Sequence, residues 1–107
     1  MEKIRVVLVP TDGKAVVVEI DNDLHTMQEL VGGYIETARI FDAGEVFDGC
    51  RIVCNEEGII RRLKLNKLGI RGQFFIISDH ISGDGEMVGL EEGKAHLVAA
   101  VLNSNGG

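Results

Sequence analysis

The chain has no tryptophan and a single proline, and its hydrophobic and charged fractions of 45% and 26% are those of an ordinary globular domain. Collagen-like and low-complexity classes are thereby excluded. No apolar run approaches the ~18 residues that a bilayer span requires, and the opening stretch MEKIRVVLVPTDG lacks the small-residue cleavage pattern of a signal peptide. A cytoplasmic protein without a membrane partner is the expectation. Basic side chains are also scarce: 11 Lys and Arg stand against 17 Asp and Glu, for a formal net charge of −6. Such a balance disfavours a groove for duplex nucleic acid, whose affinity comes mainly from neutralising phosphates.

Only two cysteines are present, Cys50 and Cys54, in GCRIVCN. On an extended segment they share a face about 13 Å apart. A disulfide needs Cα atoms within about 7 Å, so they read as reduced core residues. His25, His80 and His96 complete no metal-ligand spacing with them, and no cofactor is expected.

What is present is periodic. Ile4, Val6 and Leu8, then Val16, Val18 and Ile20, alternate along two β-branched runs joined by PTDGK, whose Asp12-Gly13 pair suits a tight reversal. Residues 3–21 are predicted to be a β-hairpin. DNDLHTMQELVGG then supplies Asn22 or Asp23 as N-cap, a stripe of Leu24, Met27, Leu30 and Val31, and Gly32-Gly33 as a stop. One glycine is expected in the left-handed position after the helix, and the other lets the backbone pass close to the sheet. A phosphate loop would place glycines before a helix, where the amides point at the anion. Here they follow it.

YIETARIFD, with Phe41 in the alternation, and CRIVCN are predicted strands, AGEVFDG a loop with mild strand character, and NEEG at 55–58 a turn. QFFIISDHI is apolar on both faces over Phe74 to Ile77, which suits a central strand covered on two sides. SGDGEMVG is a glycine-rich excursion whose DGE reads as a surface turn. LEEGKAHLVAAVLN puts Leu90, Leu97, Val98, Val101 and Leu102 on a terminal helix stripe, and the tail 103–107 is expected to fray. One α+β domain over 1–107 results, a mostly antiparallel sheet with two helices in the order β-β-α-β-β-(irregular)-β-α.

No catalytic constellation emerges. Ser78, Asp79 and His80 are neighbours on a strand, so Asp79 faces away from the other two and no relay forms. Glu56-Glu57 in its turn reads as hydrated. The sharpest local feature is RRLKLNKLGIR at 61–71, five of the 11 basic side chains with no acid among them. It is either a solvated connection or an anion-binding patch.

MQELVGGYIE, VCNEEG, the Leu65-Asn66 pair and GQFFII, in this order, resemble a family of small bacterial, phage and plasmid domains of unknown function. Its pattern is a strand hairpin, then LQELVGGYIE, CNEEG or CNEDG, LPxN and GxFFI, and the resemblance covers most of residues 3–102. The chain departs from it at Met27, where Leu is more frequent, and at Lys64, where proline is common. The resemblance implies no activity. It draws attention to Tyr34, Glu36, Asn55, Glu56 and Asn66, and implies a mobile-element protein that acts by binding a host component.

The expected function is therefore non-catalytic: countering a host defence by binding a small nucleotide signal or a host protein. Tyr34, Asn55, Glu56, Arg61, Arg62, Asn66 and Arg71 are the expected ligand-binding residues, with no catalytic or metal residues. A nucleotide would use the basic segment and base stacking, whereas a basic host surface would answer the acidity. A small enzyme with a carboxylate site, or a ubiquitin-like modifier ending in Gly106-Gly107, are the alternatives. A homo-oligomer is compatible with an exposed strand edge.

Overall fold

The computed structural model describes residues 2–40, 44–80, 83 and 86–105. Phe41, Ala43, Ile81, Ser82, Asp84, Gly85, Gly106 and Gly107, which the strand, loop, turn and tail expectations include, lie outside the described residues.

The β-branched runs form β1 (Lys3–Val9) and β2 (Val16–Asp21), the hairpin expected from their alternation. They are followed by α1 (Leu24–Val31), β3 (Ile35–Arg39), β4 (Cys50–Asn55), β5 (Phe74–Ser78) and α2 (Glu92–Asn105). The five strands make one antiparallel sheet in the order β2-β1-β5-β4-β3. Two hairpins form the flanks, and β5, apolar on both faces, closes the gap between them.

Alternation decides which side chain goes to which layer, because successive residues of a strand face opposite ways. Ile4, Val6, Ile20, Val53, Phe75 and Ile77 meet Met27 and Val31 of α1 on one face. Val7, Val9, Ile52, Cys54, Phe74 and Ile76 meet Ala95, Val98 and Leu102 of α2 on the other. The helices thus cover opposite faces of the sheet, which is why β5 needs no polar side. Phe74 and Phe75 are both fully buried, one in each layer. Burial of each contributes about 1.5–3 kcal/mol.

Asp23 caps α1, its Oδ1 accepting from the Thr26 amide at 2.8 Å. That bond first, and a second one from the Thr26 hydroxyl, hold its carboxyl below the usual range. Gly32 then takes the left-handed conformation (φ 80°), and the amides of Gly32 and Gly33 both donate to the Gln28 carbonyl, at 2.9 and 3.0 Å. Gly33 makes the close approach: a Cβ there would lie 2.9 Å from Asn55 Nδ2 and 3.0 Å from Arg61 Nη1.

Four details differ from the sequence expectation. Leu24 is 58% exposed, and of the expected stripe Met27 and Val31 are the residues buried in the core. Leu97 is 53% exposed, and its expected place is taken by Ala95 and Ala99, small enough to let α2 lie close on the sheet. Residues 45–47 form a single 3-10 turn, not extended chain, and drive Phe47 into the α2 layer. The helix also runs past 102 to Asn105, since the Asn103 amide side chain clasps Ala15, accepting from its N–H (2.8 Å) and donating to its carbonyl (3.0 Å). Among the described residues no helix is long and apolar enough to cross a membrane.

Asn55→Ala removes two hydrogen bonds from a buried side chain and is expected to lower unfolding free energy in urea by about 1–3 kcal/mol. Gly33→Ala also destabilises, but in the Asn55→Ala background its methyl finds room, so the double variant loses less than the sum. Strict additivity would contradict the close contact.

Candidate functional site

The site is assembled at the far end of β4. Asn55 is 4% exposed, the one buried polar residue among those described. Its Nδ2 donates to the Val31 carbonyl at the end of α1 (3.1 Å), and its Oδ1 accepts from the Glu57 amide (2.7 Å). One amide thus satisfies a helix-terminal carbonyl that has no partner within the helix and folds the next turn back by a side-chain-to-backbone bond. The Glu56 amide donates to the Tyr34 carbonyl (2.8 Å), continuing the β3–β4 ladder past its last named pair. Arg61 adds a third tie, Nη1 to the Gly32 carbonyl at 3.1 Å, a favourable place for a cation at a helix C-terminus.

Beyond this junction the chain doubles back. Gly58 packs so tightly that a Cβ there would sit 3.2 Å from both the Cβ and the carbonyl oxygen of Arg71. Leu65 and Arg71 form an isolated antiparallel bridge, closing the basic segment into a loop of its own. Asn66 fixes that loop to the sheet, donating to the carbonyls of Val9 (2.9 Å) and Gly72 (3.0 Å) and accepting from the Lys67 amide (2.7 Å). Lys64 pairs with Asp12.

Between the loop and the β3–β4 ribbon lies a groove of about 400 Å³. Cys54 and Ile70 belong to the core beneath it, Glu36 and Glu56 supply carboxylates, and Ile59 and Ile60 stand on the loop side, 79% and 80% exposed. Arg71 also lines it, but its Nη1 donates to the Leu63 carbonyl at 3.2 Å. The Cys54 Sγ donates to Glu36 Oε1 at 3.9 Å. Burial first, and the Glu36 charge second, push this thiol up to about 11. It is a neutral floor for the groove, since the thiolate is the nucleophile.

Of the expected ligand-binding residues, Asn55, Glu56 and Arg71 line the groove. Tyr34, through its carbonyl, and Arg61, through its guanidinium, hold the junction behind it, and the Tyr34 ring is 66% exposed. Its tie to the junction is the carbonyl, which accepts from the Glu56 amide. Arg62 is exposed with φ 56°, and Asn66 faces β1. The basic side chains therefore do not converge on one pocket. Ile59, Ile60 and Cys54 escaped the sequence reading, although two isoleucines directly after a turn glycine were a signal of exposed apolar surface.

Among the described residues Ser78, Asp79 and His80 are engaged separately. Asp79 pairs with Arg51 (2.8 Å) and Ser78 Oγ accepts from the His80 amide (3.0 Å), so the three residues share no relay. No group of three or more His, Cys, Asp or Glu among the described residues is placed to hold a metal ion.

A family model described as a domain of unknown function, DUF3846, matches residues 4–102. No curated protein and no solved structure matches the chain.

Because the folded state holds the Cys54 proton more tightly than the unfolded chain, this thiol's contribution to stability is complete below pH 9.0 and is lost as pH climbs through about 11. Its iodoacetamide labelling, followed by peptide mapping, should be slow at pH 8 and accelerate toward pH 11. Glu36→Gln should move that profile to lower pH. An unchanged profile in the variant would show that Glu36 does not act on the thiol.

Proposed function

We propose that this chain, which belongs to the DUF3846 family of domains of unknown function, is a non-catalytic binding module that offers the groove between β3, β4 and the 58–71 loop to a segment of another protein. The observation that carries this reading is the pair Ile59 and Ile60, held almost fully in water on a loop that Asn55, Asn66 and Gly58 fix in place. Exposed aliphatic side chains beside a preformed groove gain by association, because water leaves both surfaces. Rigid anchoring lowers the entropy lost on binding.

A protein segment suits the groove better than a small nucleotide. Capture of phosphates calls for convergent cations, and here Arg61 and Arg71 donate to carbonyls while Lys64 is paired with Asp12. The groove instead carries two carboxylates. In the mobile-element setting that the sequence resemblance implies, the partner is a host protein and the outcome of binding is interference with it.

The test compares the purified chain with an Ile59→Ser/Ile60→Ser variant in affinity capture from host extract, followed by titration of the captured protein after it has been purified. A partner whose affinity falls at least about tenfold in the variant, with the melting temperature unchanged, supports the reading; about 1.4 kcal/mol corresponds to that factor. Stabilisation of both proteins by a cyclic nucleotide, about 2.7 kcal/mol at a hundredfold excess over Kd, would replace it with ligand capture elsewhere on the chain.

A further inference from the structure

The groove opens beside a strand with a free edge. Among the described residues β3 has a single sheet neighbour, β4, and lies at the end of the sheet order. Its phase is set by the Glu56 amide bond to the Tyr34 carbonyl, with Ile35 opposite Asn55 and Glu36 opposite Cys54 in the ladder. In an antiparallel pair the bonded and non-bonded positions alternate. Tyr34, Glu36 and Ala38 therefore turn their main-chain groups to β4, and Ile35, Thr37 and Arg39 turn theirs outward. An incoming extended chain would find donors and acceptors at every second residue.

The side chains specify what such a chain carries. Glu36 projects on the α2 face, into the groove, and is exposed. A residue added opposite it sits within cross-strand pairing distance, where an opposite charge is favoured. The next residue on the same face lies two positions along, about 7 Å away. In the direction of Tyr34 and Glu56 this position continues along the groove side of the sheet, and Ile59, Ile60 and Ile70 also line that groove. A carboxylate position thus precedes an aliphatic one at strand spacing.

Resting on the groove reading above, we propose that the occupant is an extended segment of a partner protein that pairs with β3 as a sixth strand. It presents a lysine or arginine opposite Glu36 and a bulky aliphatic residue two positions away between Ile59, Ile60 and Ile70. Glu36 and Glu56 line the groove, the Arg71 guanidinium donates to the Leu63 carbonyl, and the whole chain carries a net −6. A like charge opposite Glu36 is disfavoured, so an acid is not expected at that position.

The test is selection of random dodecapeptides displayed on phage against the immobilised full chain, followed by titration of the selected synthetic peptides. The expected consensus is a basic and an aliphatic residue with one residue between them. Ile59→Ser/Ile60→Ser should weaken these peptides tenfold or more, and Glu36→Gln about two- to fivefold, with loss of the basic preference. N-methylation of alternate peptide amides should abolish binding in one phase and spare it in the other. Peptides that depend on Ile59 and Ile60 but ignore Glu36 and the methylation phase would leave the groove as a site and overturn strand addition. Peptides indifferent to Ile59 and Ile60 would overturn the groove itself. A failure to enrich any peptide, or self-association of the chain that the isoleucine variant abolishes, would overturn the proposal, the latter by giving the edge to a second copy.

Discussion

One buried amide organises this molecule. Asn55 is the residue at which a helix end, a strand end and a turn meet, and each needs a polar partner that no regular element supplies. Its Nδ2 satisfies Val31 and its Oδ1 satisfies Glu57, so three chain directions are fixed by two bonds shielded from water. Buried amides of this kind carry a large penalty when left unpaired, so the junction holds together or fails as a unit. The space for that amide exists because position 33 has no side chain, so Gly33 and Asn55 are two halves of one device.

The groove follows from this junction. Once Asn55 folds 56–58 back, Gly58 can pack on Arg71, and the 59–71 loop is held at both ends, by Asn55 on one side and Asn66 on the other. Ile59 and Ile60 then have no core to enter, since the α2 face of the sheet is already filled by Val98, Leu102 and their neighbours. Their exposure is a consequence of topology. A module that binds without catalysis needs little more than this: a rigid backbone, an apolar ledge, carboxylates of one sign and a free strand edge.

Much of the fold was legible because period and punctuation agreed. The alternation in residues 4–9 and 16–20, the Asp23 cap, the Gly32-Gly33 stop and the doubly apolar FFII each point to one element, and each element formed. The helical stripes misplaced Leu97 and Leu24, whose burial depends on how each helix lies on the sheet, a tertiary quantity. The 3-10 turn at 45–47 was hidden for the same reason, since Val46 and Phe47 have strand character alone but are bent by the core they fill. The resemblance singled out polar motif residues, and the structure bonds two of them to the main chain. Asn55 and Asn66 are framework, and the accessible chemistry lies in Glu36, Glu56 and two isoleucines. Apart from the two isoleucines after the turn glycine, this depends on which side chains the framework leaves in solvent.

Native-state amide hydrogen exchange on the Asn55→Ala chain tests the central claim most directly, since it reads each tie separately. The account predicts that protection falls at Gly32, Gly33, Glu56 and Glu57 while the β1–β2 hairpin keeps its own. Uniform loss across the sheet, or unchanged protection at those four amides, would contradict the view that this one side chain holds the junction and the groove built on it.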